Sequence, residues 1–424
     1  MSAVLASRSA AIPASGAVPL RRLAGPGLLV AVGYMDPGNW ATDIAGGASY
    51  RYGLLGVVVA ASVLGLLFQT LAARVAVATG EDLAQLSRRH LPPAVAKAAW
   101  LAGEAAIVAT ALAELVGGAI ALGLLFGLPF GAGMALTAAA TLAVMAWSEG
   151  RAGVYEKLVE VLLAVVALSF VALMLRAHPS ATQALRDSAG SAHLLHDREA
   201  LLVALGIVGA TVMPHNLYLH SGLVAERARG IAAGLRPLAM RLATRDTALA
   251  LGLAMLVNIA ILAVAAASLG GPGQMVASLA DAHGALRLSL GAGAALVFAL
   301  ALYAAGQSSA ITGVLAGKLL TRGFRGREDR SWLRGIATRL AAVVLACLLT
   351  AFGGGASPDT LLVWSQVILS LALPFALLPL VLLASRDTLM KEFRLPRAAR
   401  AGAMAVTATV AALDLYLLGV QLAG

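Results

Sequence analysis

The chain is poor in cysteine, in charge and in aromatic residues. Its 424 residues include one cysteine, Cys347. A single thiol excludes an internal disulfide, a cysteine-based zinc site and an iron–sulfur cluster. Charged residues make up 12% and aromatics 5%, against 60% hydrophobic residues and a mean hydropathy of +0.87. A soluble domain of this length could not hide so much apolar surface, so the composition is that of a polytopic, all-α membrane protein. No soluble domain interrupts the apolar runs. The longest polar stretch, Ala177 to Glu199, has room only for a short amphipathic piece. No nucleophile–base pair and no cofactor motif appears, so neither an enzyme nor a bound cofactor is expected. Residues 1–20 hold no separate apolar core, so no cleavable signal is expected. What is abundant is small: the 45 glycines suit close packing of helices in lipid.

About 20 apolar residues cross the hydrocarbon core. Eleven such runs are present, near 24–47, 53–79, 94–126, 130–147, 157–176, 200–225, 246–269, 288–320, 334–352, 359–384 and 401–421. The net charge of +10 raises the question of nucleic acid, and the placement of the charges answers it. With the N-terminus in the cytoplasm, Arg21, Arg22, Arg88, Arg89, Lys97, Arg151 and Lys157 fall inside. So do the groups around Arg227–Arg245, Arg322–Arg330 and Arg386–Arg400. Arg51, Arg176, Arg186, Arg198 and Arg287 are left for the outer loops. This is the positive-inside pattern of an inner-membrane protein with its C-terminus outside. No nucleic acid and no obligate protein partner is implied; the bilayer is the partner.

Two runs are interrupted at mid-depth. In the first, Asp36-Pro37-Gly38-Asn39 puts a turn signal and a carboxylate into hydrocarbon, where an acid is costly and kept for a reason. Pro37 removes a donor and clashes with the carbonyl four residues back, at Gly33. In the sixth, Met213-Pro214-His215-Asn216 repeats the device, freeing the Ala210 carbonyl and pushing Met213 off helical angles. Broken helices five spans apart point to an inverted repeat of five plus five helices with a site between the breaks. The first repeat covers about 24–176, the second about 200–384, and 401–421 is an extra helix, all within one transmembrane domain of residues 1–424. The pocket would offer a carboxylate (Asp36), an amide oxygen (Asn39), a carbonyl (Ala210) and a thioether (Met213). The thioether is the informative donor, because sulfur disfavours Mg2+ and Ca2+ and favours transition metals. A methionine in a span is more often core packing; its place beside Pro214, facing the other break, favours the ligand.

Further polar groups lie in the spans. His215 and His220 follow the second break, and histidine titrates near physiological pH, which suits one of them to a proton relay. Glu104 and Glu114 are ten residues apart, about 80° around a helix, so both can face the bundle interior as a proton path or as ion-pair partners. Arg339 is a candidate counter-charge for Glu114. Arg334 begins the same span, and either arginine could instead snorkel to the cytoplasmic surface. Gln366 and Asn258 are candidate site or gate residues; each alone is more often an interhelical hydrogen bond.

These motifs resemble those of the Nramp divalent-metal transporters. Asp36-Pro37-Gly38-Asn39 and Met213-Pro214-His215 are similar to the two signatures of that family. Gly33-Tyr34-Met35, Ala41-Thr42-Asp43-Ile44-Ala45-Gly46-Gly47, Ala78-Thr79-Gly80, Tyr218-Leu219-His220-Ser221, Gly306-Gln307-Ser308-Ser309, Ser365-Gln366-Val367 and Leu373-Pro374-Phe375-Ala376 extend the likeness over nearly the whole chain. The resemblance implies a LeuT-like fold and import of Mn2+ or Fe2+ by alternating access with proton symport. It implies metal ligation by Asp36, Asn39, Ala210 and Met213, with Gln366 joining in some conformations. It also implies a proton route involving His215 and Glu114, with Arg334 matching an arginine at the cytoplasmic end of span nine.

The chain departs from the family pattern beyond the metal ligands. An aspartate expected three residues before Glu114 is Ala111, and the second of two adjacent arginines is Gly335. Losing both members of a buried ion pair costs far less than stranding one. Ala372 and Ala310 replace a Gln and a Thr. These changes leave room for a metal uniporter with weak or absent proton coupling. A Na+-coupled organic-solute transporter on the same fold is disfavoured by Met213, and a non-transporting receptor has no use for two membrane-buried breaks.

Overall fold

The computed structural model describes residues 23–148, 151–269, 278–326, 331–352 and 357–423. Arg21, Arg22, Arg327 and Arg330 of the topology argument, and residues 1–20, lie outside them. Within the described residues the fold is helical throughout, with no strand. The chain runs α1 (Pro26–Ala31), α2 (Pro37–Tyr50), α3 (Leu55–Thr79), α4 (Leu83–His90), α5 (Pro93–Phe126) and α6 (Phe130–Ser148). It continues through α7 (Ala152–Ala177), α8 (Ala181–Ala189), α9 (Arg198–Thr211), α10 (Pro214–Ala228), α11 (Arg236–Ser268) and α12 (Leu279–Leu290). It ends with α13 (Ala292–Arg325), α14 (Ser331–Phe352), α15 (Pro358–Ala372), α16 (Pro374–Ala384), α17 (Asp387–Met390) and α18 (Arg397–Ala423).

Ten of these helical stretches are long and apolar enough to cross a membrane, counting α9–α10 and α15–α16 as one each. The eleventh crossing is the split pair α1 and α2, each half too short to span alone. Both expected breaks are present, and the helices restart on Pro37 and Pro214 at the first helical position. A third proline, Pro374, bends span ten between α15 and α16. Leu373 there keeps helical angles (φ −62°, ψ −46°) and donates to the Ser370 carbonyl at 2.9 Å, so the chain turns without unwinding.

Several boundaries differ from the apolar runs for one reason. α11 begins at Arg236, not near 246, because its first turns are polar and hydropathy registers only the membrane-embedded part. The polar stretch between α7 and α9 does fold into the short α8 and a 3-10 turn, Ser191–His196. The amphipathic helices α4 and α12 lie between spans. Asp82 and Gln85 form a capping box at the start of α4.

The centre of the bundle is built around Trp40, fully buried between Phe170 and Phe298 with ring centroids at 4.8 and 5.5 Å. Its indole Nε1 donates to the Met35 carbonyl at 3.0 Å, satisfying a backbone acceptor at the first break. Small residues allow the crossings. A Cβ at Gly47 would lie 2.5 Å from the Leu262 carbonyl oxygen, which fixes how closely α2 approaches α11.

Candidate metal centre

Each break orients its own donors. Asp36 has extended angles (φ −71°, ψ 168°) and caps α2; its Oδ1 accepts from Asn39 N at 2.9 Å and from Asn39 Nδ2 at 2.8 Å. In the other broken span, Val212 and Met213 are extended and Pro214 offers no N–H. The Ala210 carbonyl, freed as the i−4 rule requires, accepts from Asn39 Nδ2 at 3.1 Å. One amide thus bridges the carboxylate of the first break to the carbonyl of the second. Met213 is fully buried, and Asn216 Nδ2 donates to its sulfur at 3.8 Å. Asn216 in turn packs on the bare Cα of Gly33. Gly117 and Gly38 do the same for the Pro37 ring and the Gln366 amide; a Cβ at either would overlap its neighbour.

The donor set is one carboxylate, amides, a carbonyl and a thioether. Asp36 Oδ2 and Gln366 Oε1 are buried and have no hydrogen-bond partner. Uncompensated acceptors at this depth are costly unless a cation or water completes them. Among the described residues no group of three His, Cys, Asp or Glu side chains could hold a metal, so a tight zinc-type cage is excluded there. The Asn39 amino group lies between Asp36 Oδ1 and the Ala210 carbonyl. Rotation of that amide would present its oxygen instead.

The remaining predicted residues fall in separate places. His215 lies beside the site, its Nδ1 3.3 Å from Thr110 Oγ1. Glu114 is 1% exposed, accepts from Ser309 Oγ at 2.9 Å and pairs with Arg339 at 2.9 Å; Arg339 also donates to the Ala310 carbonyl at 3.2 Å. Arg334 does not snorkel: it pairs with Glu104, which also accepts from Trp100 Nε1 and Thr321 Oγ1. His220 stands apart from the site. Its ring nitrogens meet Gln69 Oε1 at 3.0 Å and Thr247 Oγ1 at 3.4 Å, tying α10 to α3 and α11. Asn258 donates to the Tyr34 carbonyl at 2.9 Å, beside the first break. Ala111 is buried in the main apolar cluster, and a Cβ at Gly335 would meet Leu142 and Val314, so each departure has apolar neighbours. Sequence reading passed over the buried carboxylates Asp43 and Asp414. The signal was available: an acid inside an apolar run.

A cavity of about 350 Å3 opens from the side opposite the N-terminus, lined by Gly38, Ala41, Thr42, Gly206, Gly209 and Gln366 among others. On the N-terminal side, polar contacts tie the start of α1 to the bundle. Asp246 accepts from Gly25 N at 2.8 Å and Gly27 N at 2.7 Å, capping the start of α1, and Arg227 binds the Ala24 carbonyl and Glu156.

Known proteins match this arrangement along its length. The family model described as natural resistance-associated macrophage protein-like, Nramp, matches residues 27–419. The divalent metal cation transporter MntH 1 of Pseudomonas aeruginosa is 46% identical over 420 residues, 97% of this chain and 95% of that one. A divalent metal cation transporter MntH of Nostoc is 43% identical over 415 residues, 97% of this chain and 94% of that one. The solved manganese transporter of Eremococcus coleocola superposes with a TM-score of 0.83 at 32% identity, covering 96% of this chain and 87% of its own. A nucleobase-cation-symport-1 family transporter superposes at 0.62 with 16% identity over 93% of this chain, which shows the shared LeuT-like fold alone. With the broken spans, the motifs and the whole-length match in place, this chain belongs to the Nramp family.

Proposed function

We propose that this protein imports divalent transition-metal ions, Mn2+ and Fe2+ with Cd2+ and Co2+ as further substrates, by alternating access with proton symport. The observation that carries this is the meeting of Asp36, Asn39 and Ala210 through one amide, with the Met213 sulfur on the same break. Mixed oxygen and thioether donors with a single carboxylate suit such ions and disfavour Mg2+ and Ca2+. The names of the relatives, divalent metal cation and manganese transporters, support the same substrate class. We place the N-terminus in the cytoplasm of an inner membrane, so that the cavity faces outward and the cap on α1 closes the cytoplasmic side. The two broken spans, one from each five-helix repeat (about 24–176 and 200–384), hold the ion while one bundle of helices rocks against the other, and 401–421 stands outside the repeats. Asp36 binds the ion and accepts a proton. His215, Glu114 and the Glu104–Arg334 pair offer onward positions.

One observation favours a second reading, metal uniport: the region of Ala111 and Gly335 is apolar where the family pattern carries an ion pair. A single experiment separates the two. Mn2+ uptake into proteoliposomes is recorded together with lumenal pH, for the unmodified protein and for Asp36→Ala. Symport gives metal-driven acidification of the lumen; uptake without acidification establishes the uniporter. Mn2+ uptake by Asp36→Ala at the unmodified rate contradicts the site itself.

A further inference from the structure

A buried acid on the last helix belongs neither to the metal site nor to the Glu114 and Glu104 pairs. Asp414 of α18 is 4% exposed at a depth where the neighbouring helices are apolar. Its Oδ1 accepts from Ser370 Oγ on α15, and its buried Oδ2 has no partner. Ser370 also lines the outward cavity, one turn below Gln366. A Cβ at Gly209 would lie 3.0 Å from Ser370 Oγ, so the serine sits against the residue that precedes Ala210. Ser370 therefore stands between the carboxylate and the cavity.

Among the described residues no counter-charge pairs with Asp414. α18 packs against α15 and α16. α16 carries no ionisable residue, and α15 carries only Asp359, eleven residues and about 16 Å from Ser370 at the outer end. Of the helices packed on α15, α9 has Arg198 and Glu199 at its outer end and α2 has Asp36 and Asp43. α5 has Lys97 and the two arginine-paired glutamates. On α18 itself, Arg397 and Arg400 lie at least fourteen residues away, about 21 Å, and Tyr416 is partly exposed. A carboxylate so placed is tolerated when it can be neutralised, and a proton is the one cation a serine hydroxyl can deliver.

We propose that Ser370 and Asp414 form a proton-binding site on the outward cavity, separate from the metal ligands. A hydronium in the cavity gives its proton to Ser370 Oγ as the serine's own proton passes to Asp414 Oδ1. The water is left neutral, the serine unchanged, and the carboxylate becomes the acid. The reverse hop releases the proton to the cavity. The site adds a pH dependence to metal uptake that arises on the eleventh span, and it rests on the transport reading above.

Two measurements test it in the full-length protein. Infrared difference spectra between acid and neutral pH should show a carboxylic-acid C=O band that Asp414→Asn removes; the band persisting unchanged in that variant overturns the site. In proteoliposomes, the dependence of Mn2+ KM on external pH should lose the same ionisation in Asp414→Asn and in Ser370→Ala, with uptake at the optimum within about twofold. A pH profile superposable on the unmodified protein in either variant overturns the relay. Should Asp414→Asn fail to fold, Ser370→Ala carries the same decision. Absence of Mn2+ uptake by the unmodified protein would contradict the transport reading, and the infrared band would still decide the proton site.

Discussion

The Glu114–Arg339 pair offers the sharpest test of how charge is managed inside this bundle. Both side chains are all but inaccessible, at 1% and 4% exposure, and meet at 2.9 Å. At an effective dielectric of about 20, two unit charges at that distance attract by roughly 6 kcal/mol, most of it offset by desolvation. Replacing Arg339 by Met removes the attraction and leaves a carboxylate that keeps only the Ser309 hydrogen bond. The expected loss is about 3–5 kcal/mol. Replacing both, Glu114→Gln with Arg339→Met, removes the stranded charge as well and should cost much less than the single change. The assay is reversible unfolding of purified protein in detergent, arranged as a double-mutant cycle. The order predicted is unmodified, then double, then single variant. A double variant as unstable as Arg339→Met would refute the view that uncompensated charge is what the pair prevents. Ala111 and Gly335 already illustrate the same rule, since both partners are absent from an apolar region.

Three further outcomes follow from the geometry. Met213→Ala should weaken Cd2+ and Mn2+ uptake by about tenfold, roughly 1.4 kcal/mol, while any Ca2+ or Mg2+ uptake changes little; equal loss for all four ions would remove the role assigned to sulfur. Gly38→Ala drives a methyl group into the Gln366 amide and should lower Mn2+ uptake at least tenfold, yet add little in a Gln366→Ala background; additive losses would show that the two residues do not meet during transport. Asp246→Asn weakens the cap on α1 by about 1 kcal/mol, which should raise labelling of a cysteine introduced by Ala31→Cys from the N-terminal side about fivefold; unchanged labelling would show that this cap does not hold the gate.

Much of the site was legible because proline leaves so few choices. Pro37 and Pro214 sit in runs too apolar to be surface loops, and the i−4 rule alone names Ala210 as the freed carbonyl. Arg339 could be matched to Glu114 because a buried acid needs a partner and few cations share its depth. Pairings that depend on which helices become neighbours were not legible. Nothing local to Arg334 separates an interior pair with Glu104 from a snorkelling side chain, and nothing local to His220 names Gln69 and Thr247. The amphipathic α4 and α12 escape a search for long apolar runs, and the division of span ten at Pro374 was not expected from its unbroken apolar run. Asp414 carried a signal in its apolar surroundings; its meaning required knowing that α18 lies against α15.

The central claim is that one thioether and a set of oxygens from the two breaks hold the transported ion. X-ray absorption at the metal edge of Cd2+ bound to the purified protein tests this directly. One sulfur scatterer among oxygen neighbours, lost in Met213→Ala while the oxygens remain, is the result predicted. A first shell of oxygen and nitrogen alone in the unmodified protein would contradict it.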